Sequence, residues 1–151
     1  MESKGLYIHI PFCVQKCKYC DFTSYVADGN EKDKYLDSLE KELKMYKLNQ
    51  EEISTIFIGG GTPTILNKIQ LKRLFKMIED NVDLKKVEEY SIEANPGTLS
   101  IEKLKIMKYA GVNRLSIGLQ AVQDKHLLFM GRIHNLKQFE ESFYNAIKVG
   151  F

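Results

Sequence analysis

Cys13, Cys17 and Cys20 all fall in one stretch, Cys13-Val-Gln-Lys-Cys17-Lys-Tyr-Cys20, entered from the apolar run Leu6–Ile10. Three thiolates held by a CxxxCxxC loop can each bind one iron of a four-iron cluster, and with no fourth cysteine in the chain one iron is left without a protein ligand. Such an iron is open to a further ligand. Two other readings use the same residues. Cys17-Lys-Tyr-Cys20 has the form of a CxxC redox pair, although a thioredoxin-type pair starts a helix directly and has no third cysteine four positions earlier. Zinc would take His9 as its fourth ligand, and His9 alternates with Tyr7 on the run before the loop.

Other residues suited to chemistry lie elsewhere along the chain. Gly59-Gly60-Gly61-Thr62-Pro63 follows a β-type run. One glycine would suffice for a tight turn, whereas three in succession strip side chains from the strand end and let a ligand meet backbone N–H and C=O groups. The stretch is not a P-loop, because no GK[ST] follows. Glu93 closes another apolar run and is either a solvated strand end or an acceptor for ribose hydroxyls or an ammonium group. Arg132 is either a surface residue or a fork for a ligand carboxylate. His126 and His134 read as packing or solvation residues.

These residues need a scaffold. Four short β-type runs, Leu6–Ile10, Ser54–Ile58, Tyr90–Ala94 and Arg114–Gly118, alternate with segments of helical period. Tyr35, Leu36, Leu39, Leu43 and Tyr46 have the spacing of one amphipathic helix, and Leu71, Leu74, Phe75 and Ile78 that of a second capped by Asn67. Ser100 caps a third through Leu104 and Met107 that Gly111 stops, a short turn spans Asp124–Met130, and Leu136–Val149 forms the last helix before Gly150. Strands separated by such helices are parallel, with right-handed crossovers, so the expected class is α/β of barrel or doubly wound type. In that class the loops at the carboxyl ends of the strands build the site. The cysteines, the triple glycine, Glu93 and Gln120 each sit after or at the end of a different strand. Gly150-Phe151 reads as the start of a fifth strand, so the chain is expected to be the front part of a longer protein.

Composition bounds the rest. The chain has 151 residues, 44% apolar and 28% charged, as a folded globular domain does. With 22 basic against 20 acidic residues, the charge of +2 creates no strong field for nucleic acid or an anionic membrane. Met1–Gly5 lacks the apolar core of a secretory signal, and clustered unpaired cysteines suit a reducing compartment, so a cytosolic protein is expected.

Taken together, Tyr7-Ile-His-Ile-Pro-Phe-Cys13 leading into CxxxCxYC, Gly59-Gly-Gly-Thr-Pro63, Glu93-Ala-Asn-Pro96, and Arg114-Leu-Ser-Ile-Gly-Leu-Gln120 through Gly131-Arg-Ile-His134 resemble the radical S-adenosylmethionine (SAM) superfamily. Within it the chain resembles the oxygen-independent coproporphyrinogen III oxidase group, and most of all its HemW haem-chaperone branch. The resemblance implies the first four units of a partial TIM-type radical SAM barrel, with the remaining barrel and a C-terminal domain absent from these 151 residues. It implies that Cys13, Cys17 and Cys20 hold a [4Fe-4S] cluster whose open iron takes the amino and carboxylate groups of S-adenosyl-L-methionine, which on reduction yields a 5′-deoxyadenosyl radical. Tyr7 and Tyr19 would lie beside that cofactor, Gly60, Gly61 and Thr62 would meet its methionine part, and Glu93, Gln120 and Arg132 would anchor it; no catalytic residue is implied beyond the cluster. Haem or a porphyrinogen, a haem-acceptor protein and an electron donor such as flavodoxin or ferredoxin are the implied partners, with peripheral membrane association only through acceptors. Oxidases of this group carry a further cysteine two positions beyond the third ligand, where this chain has Phe22, and a longer region before the first strand. Both departures favour the chaperone branch over the oxidase.

Overall fold

The computed structural model describes residues 3–151. Its strands β1 (Lys4–Ile10), β2 (Ile53–Gly60), β3 (Glu89–Ala94) and β4 (Arg114–Ile117) form one sheet in the order β1-β2-β3-β4, every neighbouring pair parallel. Helices α1 (Gly29–Met45), α2 (Lys68–Asn81), α3 (Ile101–Tyr109), α4 (Asp124–Phe129) and α5 (Leu136–Val149) fill the connections. The expected α/β alternation with parallel strands is the architecture found.

Register explains how one sheet serves two ends. Side chains alternate between faces along a strand, and the ladder aligns Ile8 with Ile58, Ile58 with Ile92 and Ile92 with Leu115. That face meets the helices: Ile8, Ile10, Ile56, Ile58, Tyr90 and Ile92 are buried with Leu36, Leu71, Leu74, Leu104 and Met107. Each such side chain contributes about 1.5–3 kcal/mol by leaving water. The opposite face carries Tyr7, His9, Phe57 and Glu93, aromatic and polar side chains that are exposed or only partly buried.

Local chemistry sets the helix ends. Asp28, Asn67 and Asn135 each close a capping box, with Glu31, Gln70 and Gln138 reaching back to the cap N–H. Ser100 caps α3 through the Lys103 N–H, and Gly150 ends α5 at φ 98°, a left-handed geometry open to glycine. The apolar spacing that begins at Tyr35 marks only part of α1, whose first turns, from Gly29, are polar.

One expectation needs correcting at the end of β2. Gly59 and Gly60 are not in a turn after the strand but within it, paired with His9 and Ile10. The N–H groups of Gly60, Gly61 and Thr62 already have protein acceptors, respectively Glu93 Oε2, the Ile10 carbonyl and the Phe12 carbonyl. Nor are these glycines surrounded by open space. A Cβ on Gly60 would lie 2.5 Å from the His9 ring, and one on Gly61 would lie 2.6 Å from the Phe12 carbonyl oxygen. The triple glycine therefore lets the cysteine loop and His9 lie against the end of β2.

Candidate functional site

The cysteine loop starts where β1 ends. Phe12, fully buried, bridges to Tyr25 with parallel pairing, and the Cys13 N–H donates to the Tyr25 carbonyl at 3.0 Å while the Tyr25 N–H donates to the Pro11 carbonyl at 2.9 Å. Residues 13–24 are thus closed into a loop whose base is anchored in the core. Phe12 meets Tyr25 and Tyr35 edge-on, with ring centroids at 5.5 and 5.2 Å. The far side of the loop is tied to the segment after α4, through the Lys18 N–H to the Met130 carbonyl at 3.0 Å and Gln15 Nε2 to the Gly131 carbonyl at 2.7 Å.

All three thiols are free, partly buried and turned into one cleft of about 210 Å³ at the carboxyl ends of the strands. Tyr19, Gly60, Gly61, Glu93, Gln120 and Arg132 line the same cleft. Nine of the eleven residues singled out from sequence therefore meet around the cysteines. The other two stand next to it. Thr62 is buried behind the loop, accepting from Asn95 Nδ2 at 2.7 Å with its hydroxyl 3.7 Å from Cys13 Sγ. Tyr7 stacks on Phe57 with centroids at 6.0 Å, half exposed, and its hydroxyl is pushed above the usual phenol range by burial and by the Glu93 charge. A larger groove of about 740 Å³ lies between α2 and α3, and none of the cysteines lines it.

His9 bears on the zinc reading. Its Nε2 faces the Thr23 carbonyl at 2.9 Å and so carries the proton, while Nδ1 accepts from the Tyr7 hydroxyl at 3.0 Å. Both ring nitrogens are engaged and neither is free to ligate. Among the described residues no three His, Cys, Asp or Glu side chains converge on a single metal ion. A four-iron cluster makes a different demand, one sulfur at each of three separated corners. Three free thiols around one cleft fit that demand. The redox-pair reading is also disfavoured, because the first helix after Cys20 begins only at Gly29.

Arg132 is held differently from the fork expected for a ligand. Its Nη2 donates to Asn95 Oδ1 at 2.7 Å and to the Gly118 carbonyl at 2.9 Å, Nε donates to His134 Nδ1 at 3.3 Å, and Nη1 lies 3.8 Å from Cys17 Sγ. Four of its five N–H groups are thereby used among the described residues. Tyr19 stands in the same group, its hydroxyl raised chiefly by burial, with Arg132 opposing. His134 is pushed below the usual imidazole range by burial and by the Arg132 charge. Gln120 sits at φ 67° in a three-residue turn closed by the Ala121 N–H to the Leu119 carbonyl at 2.9 Å. A non-glycine residue in that region is strained by about 1–3 kcal/mol, and such strain concentrates at functional positions.

The chain's sequence from residue 7 to residue 151 matches the model of the radical SAM superfamily. The chain belongs to that superfamily. Among curated relatives, the Heme chaperone HemW of Bacillus subtilis is 49% identical over 98% of this chain, and that of Lactococcus lactis is 41% identical over 99%. The chain spans about 40% of the length of the first and 39% of the second. Among solved structures, the coproporphyrinogen III oxidase HemN from Escherichia coli, a radical SAM enzyme, superposes with a TM-score of 0.88 at 32% identity, covering 97% of this chain and 35% of that one. The four β/α units are thus the first part of a radical SAM barrel.

Sequence reasoning missed Asn95, which joins Thr62 to Arg132, and underrated His134. Asn95 carried a usable signal, since it lies between Glu93 and Pro96 at a strand end. The link from His134 to Arg132 carried none, because it depends on how the connection after β4 folds back over the sheet.

Proposed function

We propose that Cys13, Cys17 and Cys20 bind a [4Fe-4S] cluster, that S-adenosylmethionine occupies the open iron beside Glu93, Gln120 and Tyr19, and that the protein is a haem chaperone passing haem to acceptor proteins. The observation carrying this reading is the convergence of three free thiols with six polar, aromatic and glycine positions in one cleft. The superfamily assignment supports the cluster and its cofactor. When bound, they supply a strongly reducing electron to a sulfonium centre. The chain's own residues hold, orient and shield: the Phe12–Tyr25 pairing fixes the loop, Glu93 offers a carboxylate oxygen to hydroxyl or ammonium groups, and Arg132 brings a positive charge to the cleft. An external one-electron donor of the flavodoxin or ferredoxin type would reach the cluster from outside.

Relatives of 41–49% identity named as haem chaperones favour that role, and so does Phe22, exposed at the rim of the cleft. A second reading, oxidative decarboxylation of coproporphyrinogen III, draws on the likeness to HemN. Haem titration of the anaerobically reconstituted protein, run beside porphyrin and 5′-deoxyadenosine analysis, separates the two. Stable haem binding without porphyrinogen turnover is expected; turnover to protoporphyrinogen without stable haem binding would reject the carrier reading.

A further inference from the structure

Cys17 has a cation placed against its sulfur. Arg132 Nη1 approaches Cys17 Sγ at 3.8 Å, whereas Cys13 Sγ has the neutral Thr62 hydroxyl at 3.7 Å. The guanidinium is not free to swing. Asn95 Oδ1, the Gly118 carbonyl and His134 Nδ1 hold it at 2.7, 2.9 and 3.3 Å. Those partners are themselves fixed. Asn95 Nδ2 donates to Thr62 Oγ1, which turns Oδ1 toward Arg132, and His134 is buried with Nε2 at 3.2 Å from the Leu119 carbonyl. That contact keeps the proton on Nε2 and leaves Nδ1 as the acceptor Arg132 needs. Gly118 lies close against the same groups. A Cβ on Gly118 would lie 2.8 Å from Gln120 Nε2, 3.1 Å from Asn95 Oδ1 and 3.2 Å from Arg132 Nη2.

We infer that Arg132, with Asn95 and His134 as positioning residues, makes the cluster easier to reduce by fixing an N–H and a positive charge on the Cys17 sulfur. The inference rests on the cluster reading above. One-electron reduction adds a negative charge shared between irons and sulfurs. Hydrogen bonds to the sulfurs and nearby charge set the potential of such clusters, and a charge-assisted donor stabilises the reduced form more than the oxidised one. A preorganised guanidinium provides this without reorienting when the electron arrives.

The test is a mediated redox titration of the anaerobically reconstituted protein, followed by electron paramagnetic resonance of the reduced cluster. S-adenosylmethionine is left out, so that a lost cofactor contact cannot imitate the effect. Arg132→Met is expected to lower the reduced-to-oxidised ratio at a fixed potential about tenfold, which for a one-electron couple is ~59 mV. Arg132→Lys recovers part of the loss. Asn95→Ala and His134→Ala, which keep the cation but release it, fall in between. A parental midpoint in Arg132→Met at full iron and sulfide content overturns the inference. Parental midpoints in both Asn95→Ala and His134→Ala, beside a shifted Arg132→Met, overturn the positioning roles. Should Arg132→Met not retain a cluster, the Asn95 and His134 variants decide, and parental midpoints in both overturn the inference. Failure of the parent protein to assemble a cluster contradicts the proposed function instead.

Discussion

Gly61 and Phe12 are in main-chain contact: a Cβ on Gly61 would stand 2.6 Å from the Phe12 carbonyl oxygen and 2.9 Å from its nitrogen. Phe12 is the residue before the first cysteine, and its carbonyl accepts the Thr62 N–H at 2.7 Å. The end of β2 therefore sets where the metal-binding loop begins. Backbone cannot rotate away from a clash as a side chain can.

Gly61→Ala is accordingly expected to destabilise the fold by about 1–3 kcal/mol, the usual cost of overpacking, and to lower iron retention by displacing Cys13. Gly29→Ala is the matched control, because a Cβ there meets nothing within 4 Å and α1 begins at that residue. It should leave stability unchanged or raise it by about 0.4–1 kcal/mol. Urea unfolding of the two variants with iron assay checks both halves, and equal behaviour would contradict the contact.

Tyr90 lies in the core against Phe75, ring centroids 6.2 Å apart, and its hydroxyl has no partner among the described residues. Leaving such a group unsatisfied costs about 1–3 kcal/mol. Tyr90→Phe removes the hydroxyl and keeps the ring, so the thermal midpoint should rise by about 2–4 °C, as a gain near 1 kcal/mol does in a domain of this size. A fall in calorimetry would mean that the hydroxyl has a role in the core.

His134 makes stability depend on pH with a definite sign. Burial and Arg132 depress its folded pKa, with Asp124 and the Leu119 carbonyl opposing. The unfolded imidazole takes up a proton near ~6.5, while the folded one resists until lower pH. Stability from this residue is thus complete above that value and is lost as pH falls toward the depressed folded pKa. Protonating Nδ1 would also remove the acceptor of Arg132 Nε. Comparing urea midpoints at pH 7.5 and 5.5, His134→Gln should lose less stability on acidification than the parent; an identical loss would refute the assignment.

How far the amino-acid sequence discloses this depends on the range of the interactions. The α5 boundaries, Leu136–Val149, and the caps at Asn67 and Ser100 are local matters of helix period and N–H acceptors, and they match the structure. The ends of β2 are not local. Gly59 and Gly60 look like a turn but extend the strand because His9 and Ile10 lie alongside to pair with them. At the site, strand-end placement brought out the cysteines, Glu93 and Gln120, since parallel α/β topology sends all strand ends to one face. The orientation of Arg132 was hidden, because it is fixed by Asn95, Gly118 and His134 from three separate segments.

Iron and acid-labile sulfide per chain after anaerobic reconstitution, measured for the parent and for Cys17→Ser, tests the central claim most directly. The parent should hold about four of each and the variant markedly fewer, with a changed visible spectrum. Fewer than about three irons in the parent, or a Cys17→Ser protein with the parent's iron content and spectrum, would contradict a four-iron cluster on these cysteines.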